Sequence, residues 1–162
     1  MLIEHNWRLS EAQAITADAN STNVVDLSSV RDLGEGTPLF LHVQVTTEFV
    51  GSTTLTIRGK VADDTGLSTN ADEIIVSKAL PLGALTLHSQ FFFALGFYRR
   101  GEDYTIYAHD GSPQGTTANG RRYFGLTYDV GSDTNFTEGA VTCKLTLDAS
   151  TTPRIYPAST ST

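Results

Sequence analysis

From Pro38 onward apolar and polar residues alternate with a period of two. In residues 39–46 the positions Leu39, Leu41, Val43 and Val45 are aliphatic, while Phe40, His42, Gln44 and Thr46 face the other way. This is the pattern of a half-buried β-strand. A second strand follows, in which Leu55, Ile57 and Val61 alternate with Thr54, Thr56, Arg58 and Lys60, and Gly59 on the inward row marks a bulge or a point of close packing. Residues 73–77 read as a third strand and 90–97 as a fourth, whose nearly continuous apolar run predicts cover on both faces. A weaker candidate is 104–108. Residues 122–130 place Phe124, Leu126, Tyr128 and Val130 on one face, and Val141, Cys143, Leu145 and Leu147 form the inward row of the last strand. Clusters of Gly, Pro, Asp and Ser separate these runs, as at 63–66, 81–83, 109–113 and 129–132. With a short strand at 23–27, seven or eight strands at this spacing predict an all-β fold, a β-sandwich or jelly roll.

The two ends of the chain break the alternation. Ser10 followed by Gln13 fits the S-x-x-Q capping box and predicts a short helical turn from about Glu11. Thr16, Asp18, Asn20 and Ser21 then favour local side-chain to backbone bonds, so the turn cannot run far. After Ala149 the chain holds two prolines and many hydroxyls around Ile155 and Tyr156, which reads as an extended tail ordered against a neighbour. The expected organisation is an N-terminal segment over 1–21, a jelly-roll domain over 22–149 and a tail over 150–162.

Composition agrees with strands and excludes a helical bundle. The 162 residues include 23 Thr and 13 Ser but only 3 Lys and 1 Met; Thr fits a pleated, half-exposed surface, and the strong formers of exposed helices are scarce. The net charge of −7 and the absence of Lys/Arg runs beyond Arg99-Arg100 and Arg121-Arg122 leave no footprint for a phosphate backbone, so no direct nucleic-acid partner is expected. No apolar stretch approaches the roughly 20 residues of a membrane span. The first seven residues lack a basic stretch followed by an apolar one, which predicts synthesis in the cytosol without a secretory signal. A single cysteine rules out an intrachain disulfide framework.

Candidate chemistry is sparse. Cys143 on an inward row reads as a small hydrophobe, and no G-x-S-x-G elbow is present. His5, His42, His88 and His109 lack metal-ligand spacing. Asp63-Asp64 and Asp129 with Asp133 read as turn formers ahead of calcium ligands. No enzyme and no cofactor is therefore expected. The remaining exposed groups belong to types enriched at protein interfaces: Trp7 with Arg8, Arg99, Arg100, Arg121, Arg122, and Ile155 with Tyr156.

The opening Leu9-Ser10-Glu11-Ala12-Gln13-Ala14-Ile15-Thr16, with Arg31-Asp32-Leu33-Gly34-Glu35-Gly36, resembles the start of the Bbp16-like capsid cement proteins of tailed bacteriophages. The resemblance extends through the strand patterns to about residue 149, including the 121–130 strand and Gly139-Ala140-Val141-Thr142. It implies a jelly-roll structural protein of the virion that binds the outer capsid surface, bridges neighbouring major capsid proteins, and acts as a homo-oligomer, either dimer or trimer. The stretch 111–120 and the tail after Ala149 depart from the family pattern. A second reading is a carbohydrate-binding jelly roll gripping host-surface glycans, with Trp7, Tyr98, Tyr107 or Tyr128 as stacking platforms.

Overall fold

The computed structural model describes residues 7–26, 39–96, 104–107, 113–117, 122–131 and 134–146. In chain order the strands are β1 (Arg8–Ala14), β2 (Ala19–Asn20), β3 (Val25–Asp26), β4 (Leu39–Val50), β5 (Thr54–Ala62), β6 (Asp72–Val76), β7 (Leu80–Pro81), β8 (Gln90–Gly96), β9 (Tyr104–Tyr107), β10 (Pro113–Thr117), β11 (Tyr123–Val130) and β12 (Glu138–Thr146). One sheet has the order β1-β12-β4-β8. The other has β2-β11-β5-β6, with β3 also beside β11 and β7 beside β5. Every pairing is antiparallel.

Setting the separate β9/β10 pair aside and taking β2 with β3, and β6 with β7, as two interrupted strands leaves eight, ordered 1-8-3-6 in the first sheet and 2-7-4-5 in the second. That order is the double Greek key of a jelly roll. The β9/β10 hairpin is inserted between β8 and β11. The tail over 150–162, expected to be extended, lies outside the described residues.

The inward rows meet between the sheets. Leu9, Leu41, Val43, Val45, Val141, Cys143 and Leu145 come from the first sheet, and Leu55, Ile57, Val61, Phe124, Leu126, Tyr128 and Val130 from the second, all buried. Each buried aliphatic or aromatic side chain contributes about 1.5–3 kcal/mol relative to its exposed state. Gly59 meets the expectation for its position in both respects: the register slips between Gly59 and Lys60, and a β-carbon there would collide with Ile75 and press on Phe124.

Both interrupted strands of the second sheet are mended by a serine. Between β2 and β3, the Ser21 backbone N–H donates to Leu126 O while the Leu126 N–H donates to Ser21 Oγ. Between β6 and β7, Ser77 N–H donates to Ile57 O and the Ile57 N–H donates to Ser77 Oγ. A side-chain oxygen thus replaces the missing ladder carbonyl, which an unpaired buried amide requires.

Two expectations are corrected. Residues 8–14 form strand β1, not a helical turn. Ser10 and Gln13 do bond, Oγ to Oε1 at 2.7 Å, but Ser10 and Leu9 are buried and the segment pairs with β12. Register shifts on either side of Ser10, with Ala12 at φ 43°, make β1 a doubly bulged edge strand. Tertiary pairing has overridden a weak local helix signal. For the same reason residues 8–20 are not an appendage, since β1 belongs to one sheet and β2 to the other. The second correction concerns β8, expected to be covered on both faces: it is an edge strand of the first sheet, and Ala94 on its outer face is exposed. Phe91 and Phe93 pack on the core, while Phe92 shares the outer face with His42.

Candidate partner-binding surface

The interface candidates divide by location. Trp7 is half-buried and packs against the core. Arg8 opens β1 opposite Lys144, and its guanidinium pairs with Glu11. Arg122 is exposed and grips Asp26 in a bidentate pair, Nε to Oδ1 at 3.0 Å and Nη2 to Oδ2 at 2.8 Å, with its guanidinium 5.0 Å from the Tyr123 ring centroid. Asn23 ties these regions together, its N–H donating to Leu9 O and its side-chain amide to Arg8 O. Trp7, Arg8 and Arg122 therefore sit at one end of the sandwich, where Arg8 faces Lys144 and Asp26 faces Tyr123. Arg99, Arg100, Arg121, Ile155 and Tyr156 lie outside the described residues.

The outer face of the first sheet carries a histidine with little access to water. His42 is 5% exposed, stacks on Phe92 with centroids 4.6 Å apart, and its Nε2 lies 3.2 Å from Gln90 Oε1. Burial lowers its pKa, the Gln90 bond opposes the shift, and Lys144 across the strand adds to it. On the outer face of the second sheet, Arg58 of β5 binds Asp129 of β11 and Glu73 of β6, at 2.8 and 3.1 Å. That ion-pair network crosses three strands and raises the Arg58 pKa, chiefly through the Asp129 bond.

The interior polar groups serve structure. Tyr128 is fully buried, with Oη 2.6 Å from Ser10 Oγ and 3.2 Å from Cys143 Sγ. Burial pushes the Cys143 thiol up to about 12, which leaves it protonated and unreactive near neutrality. Tyr128 is accordingly a core residue and not available as a stacking platform for a sugar. The Asp64 carboxylate accepts from the N–H groups of Gly66, Ser68 and Thr69 and from Ser68 Oγ, as a turn former does. These bonds brace the loop that lays buried Leu67 over Gly125. Among the described residues, no group of three or more His, Cys, Asp or Glu side chains is placed to hold a metal ion. No helix among them is long and apolar enough to cross a membrane.

The opposite end of the sandwich holds what the strand pattern did not single out. Here the turns over 15–18, 51–53 and 82–89 come together with residues 134–137. Val50, 47% exposed, and Leu87, 48% exposed, are the exposed large hydrophobic residues of the described chain. Val50 ends β4 opposite Glu138, with exposed Glu48 two residues before it on the same face. Leu87 lies in a turn that follows β4, since Phe49 N–H donates to Leu85 O and His88 N–H donates to Val45 O. Nothing in the alternation marks these residues, because each falls where the period of two stops.

The fold and its surfaces define an antiparallel jelly-roll protein whose buried Ser10, Ser21 and Ser77 tie strands and sheets together. Residues 9–145 match the Bbp16 family, and the chain belongs to that family. No curated protein matches the chain.

Proposed function

We propose that the chain is a structural virion protein that binds the outer surface of a bacteriophage capsid and cements neighbouring major capsid proteins. The observation that carries this is the family match, which spans nearly the whole sandwich. The fold suits the role. Two sheets closed on one core, with interrupted strands mended by serine, give a compact body whose β1 edge is twisted by bulges against unwanted pairing. A body that binds across subunit boundaries stabilises the assembled shell by mass action, because it has affinity for the assembled arrangement and not for separated subunits. Many copies of modest affinity suffice. The major capsid protein is the partner in this reading, with further copies of the chain beside it as a homo-oligomer.

The test is addition of purified protein to parent particles that lack it. Saturable binding and a raised disruption temperature are expected. Particles whose heat stability is the same with and without it would count against cementing. A glycan array tests the carbohydrate reading, which loses Tyr128 to the core; Tyr98 and the Tyr107 side chain lie outside the described residues.

A further inference from the structure

We propose that the turn-bearing end of the sandwich, along Glu48, Val50, Leu87 and Glu138, is the docking surface, and that it fits a protein patch apolar at its centre with lysine or arginine around the rim. The assignment rests on the cementing reading for the identity of that partner, the major capsid protein.

Three observations converge on this end. First, both exposed large hydrophobic residues of the described chain lie here, Val50 at the end of β4 and Leu87 in the turn bonded to Val45 and Phe49 of that strand. Exposed apolar side chains gathered within a polar rim are the signature of a protein contact, whereas scattered single ones are ordinary. Second, the charge here has one sign. The described segments 14–19, 47–53, 82–89 and 134–139 contain Asp18, Glu48 and Glu138 but none of the chain's 11 Lys and Arg. An acidic rim around an apolar centre selects a basic rim on the partner and disfavours contact with another acidic copy of the same end.

Third, contacts within the chain brace the described turns of this end. Gly51 at φ 111° brings the turn against Thr137 and Asn135, where a β-carbon would lie 3.0 Å from Thr137 N and 3.1 Å from Asn135 O. Thr137 N–H donates to Val50 O at 2.7 Å. Phe49 packs edge-to-face on Phe136, with ring centroids 4.8 Å apart, and Asp18 accepts the Val130 N–H at 2.8 Å. Such a surface loses little conformational freedom on docking. At the other end, Trp7 already packs on the core, Arg8 holds Glu11 and Arg122 holds Asp26. Recruiting those residues would first break contacts within the chain.

The experiment is co-sedimentation of purified chain with parent particles that lack it, over a range of salt. Val50→Thr with Leu87→Gln is expected to weaken binding about ten-fold or more, the scale set by loss of a contact centre. Glu48→Gln with Glu138→Gln is expected to weaken it less and to flatten its salt dependence, because screened charge pairs are removed. Lys60→Gln, on the outer face of the second sheet, is expected to bind as the unaltered chain does. Urea midpoints matching the unaltered chain establish that each variant is folded. If the Val50/Leu87 variant bound within about twofold of the unaltered chain, the assignment would be overturned. Loss confined to Arg122→Gln would likewise overturn it, moving the contact to the opposite end. If the unaltered chain itself failed to bind, the cementing reading would fall first.

Discussion

The Tyr128 hydroxyl of one sheet lies 2.6 Å from the Ser10 hydroxyl of the other, within the core. The bond fastens the bulged strand β1 to β11, and Cys143 of β12 stands 3.2 Å away on the same phenol oxygen. Tyr128→Phe keeps the ring but removes the shared oxygen, leaving Ser10 and Cys143 with a lost partner in a dry site. The expected cost is about 1–3 kcal/mol, read as a lowered urea midpoint with an unchanged slope. A midpoint within error of the parent would show that the hydroxyl contributes nothing net.

Alkaline pH should destabilise the protein through the same pair. Burial raises the Cys143 pKa from the ordinary 9.0 to about 12, and desolvation also raises that of Tyr128. Between about pH 9 and 12 the unfolded chain has released the thiol proton while the folded chain retains it. The folded state binds more protons there, so stability is fully present below 9 and falls as pH rises through this window. Urea midpoints measured from pH 8 to 11 should decline. Cys143→Ala, compared with its own value at pH 8, should decline less steeply.

Ser77 stands in for a strand residue at the break between β6 and β7, where its Oγ accepts the buried Ile57 N–H at 2.9 Å. Ser77→Ala leaves that amide unpaired at a cost of about 1–3 kcal/mol. Native-state hydrogen exchange should show the Ile57 amide losing protection by more than the global change in stability. Equal loss at all core amides would mean that the serine acts only on overall stability.

The turn-bearing end depends on Gly139, which has φ 147° and lies under the Phe49 ring so closely that a β-carbon would overlap it. Gly139→Ala is expected to cost about 1–3 kcal/mol from overpacking alone, with backbone strain added. Gly83 is the comparison: a β-carbon there meets nothing within 4 Å, so Gly83→Ala should leave the thermal midpoint nearly unchanged.

Most of the sandwich was legible because the long strands keep strict alternation with one face on the core. β4, β5, β11 and β12 show it directly, and the row of Phe124, Leu126, Tyr128 and Val130 was readable as inward. β1 was not legible. Its Ser10 and Gln13 do bond to each other, but in a bulged strand whose partner, β12, lies some 130 residues away. Local spacing cannot distinguish a helix cap from a bulge when the deciding contact is that distant. β3 falls within the short strand expected over 23–27, whereas β2 and β7, two residues each, are too short to show a period, and the serines that mend the two breaks looked like ordinary loop serines. Of the surface candidates, Trp7, Arg8 and Arg122 were chosen by residue type, which says nothing of whether a guanidinium already holds Glu11 or Asp26. Val50 and Leu87 escaped notice because aliphatic residues are ordinary in strands and turns alike, and only tertiary structure puts both on β4 or beside it, exposed.

The central claim, that the chain cements a capsid from outside, is tested most directly by a cryo-EM map of the parent particle. The account predicts jelly-roll density on the outer shell, straddling boundaries between capsid subunits, with the end that carries Val50 and Leu87 turned toward the shell. Density for the chain on a tail or fibre, or a complete shell with no such density in particles that contain the protein, would contradict it.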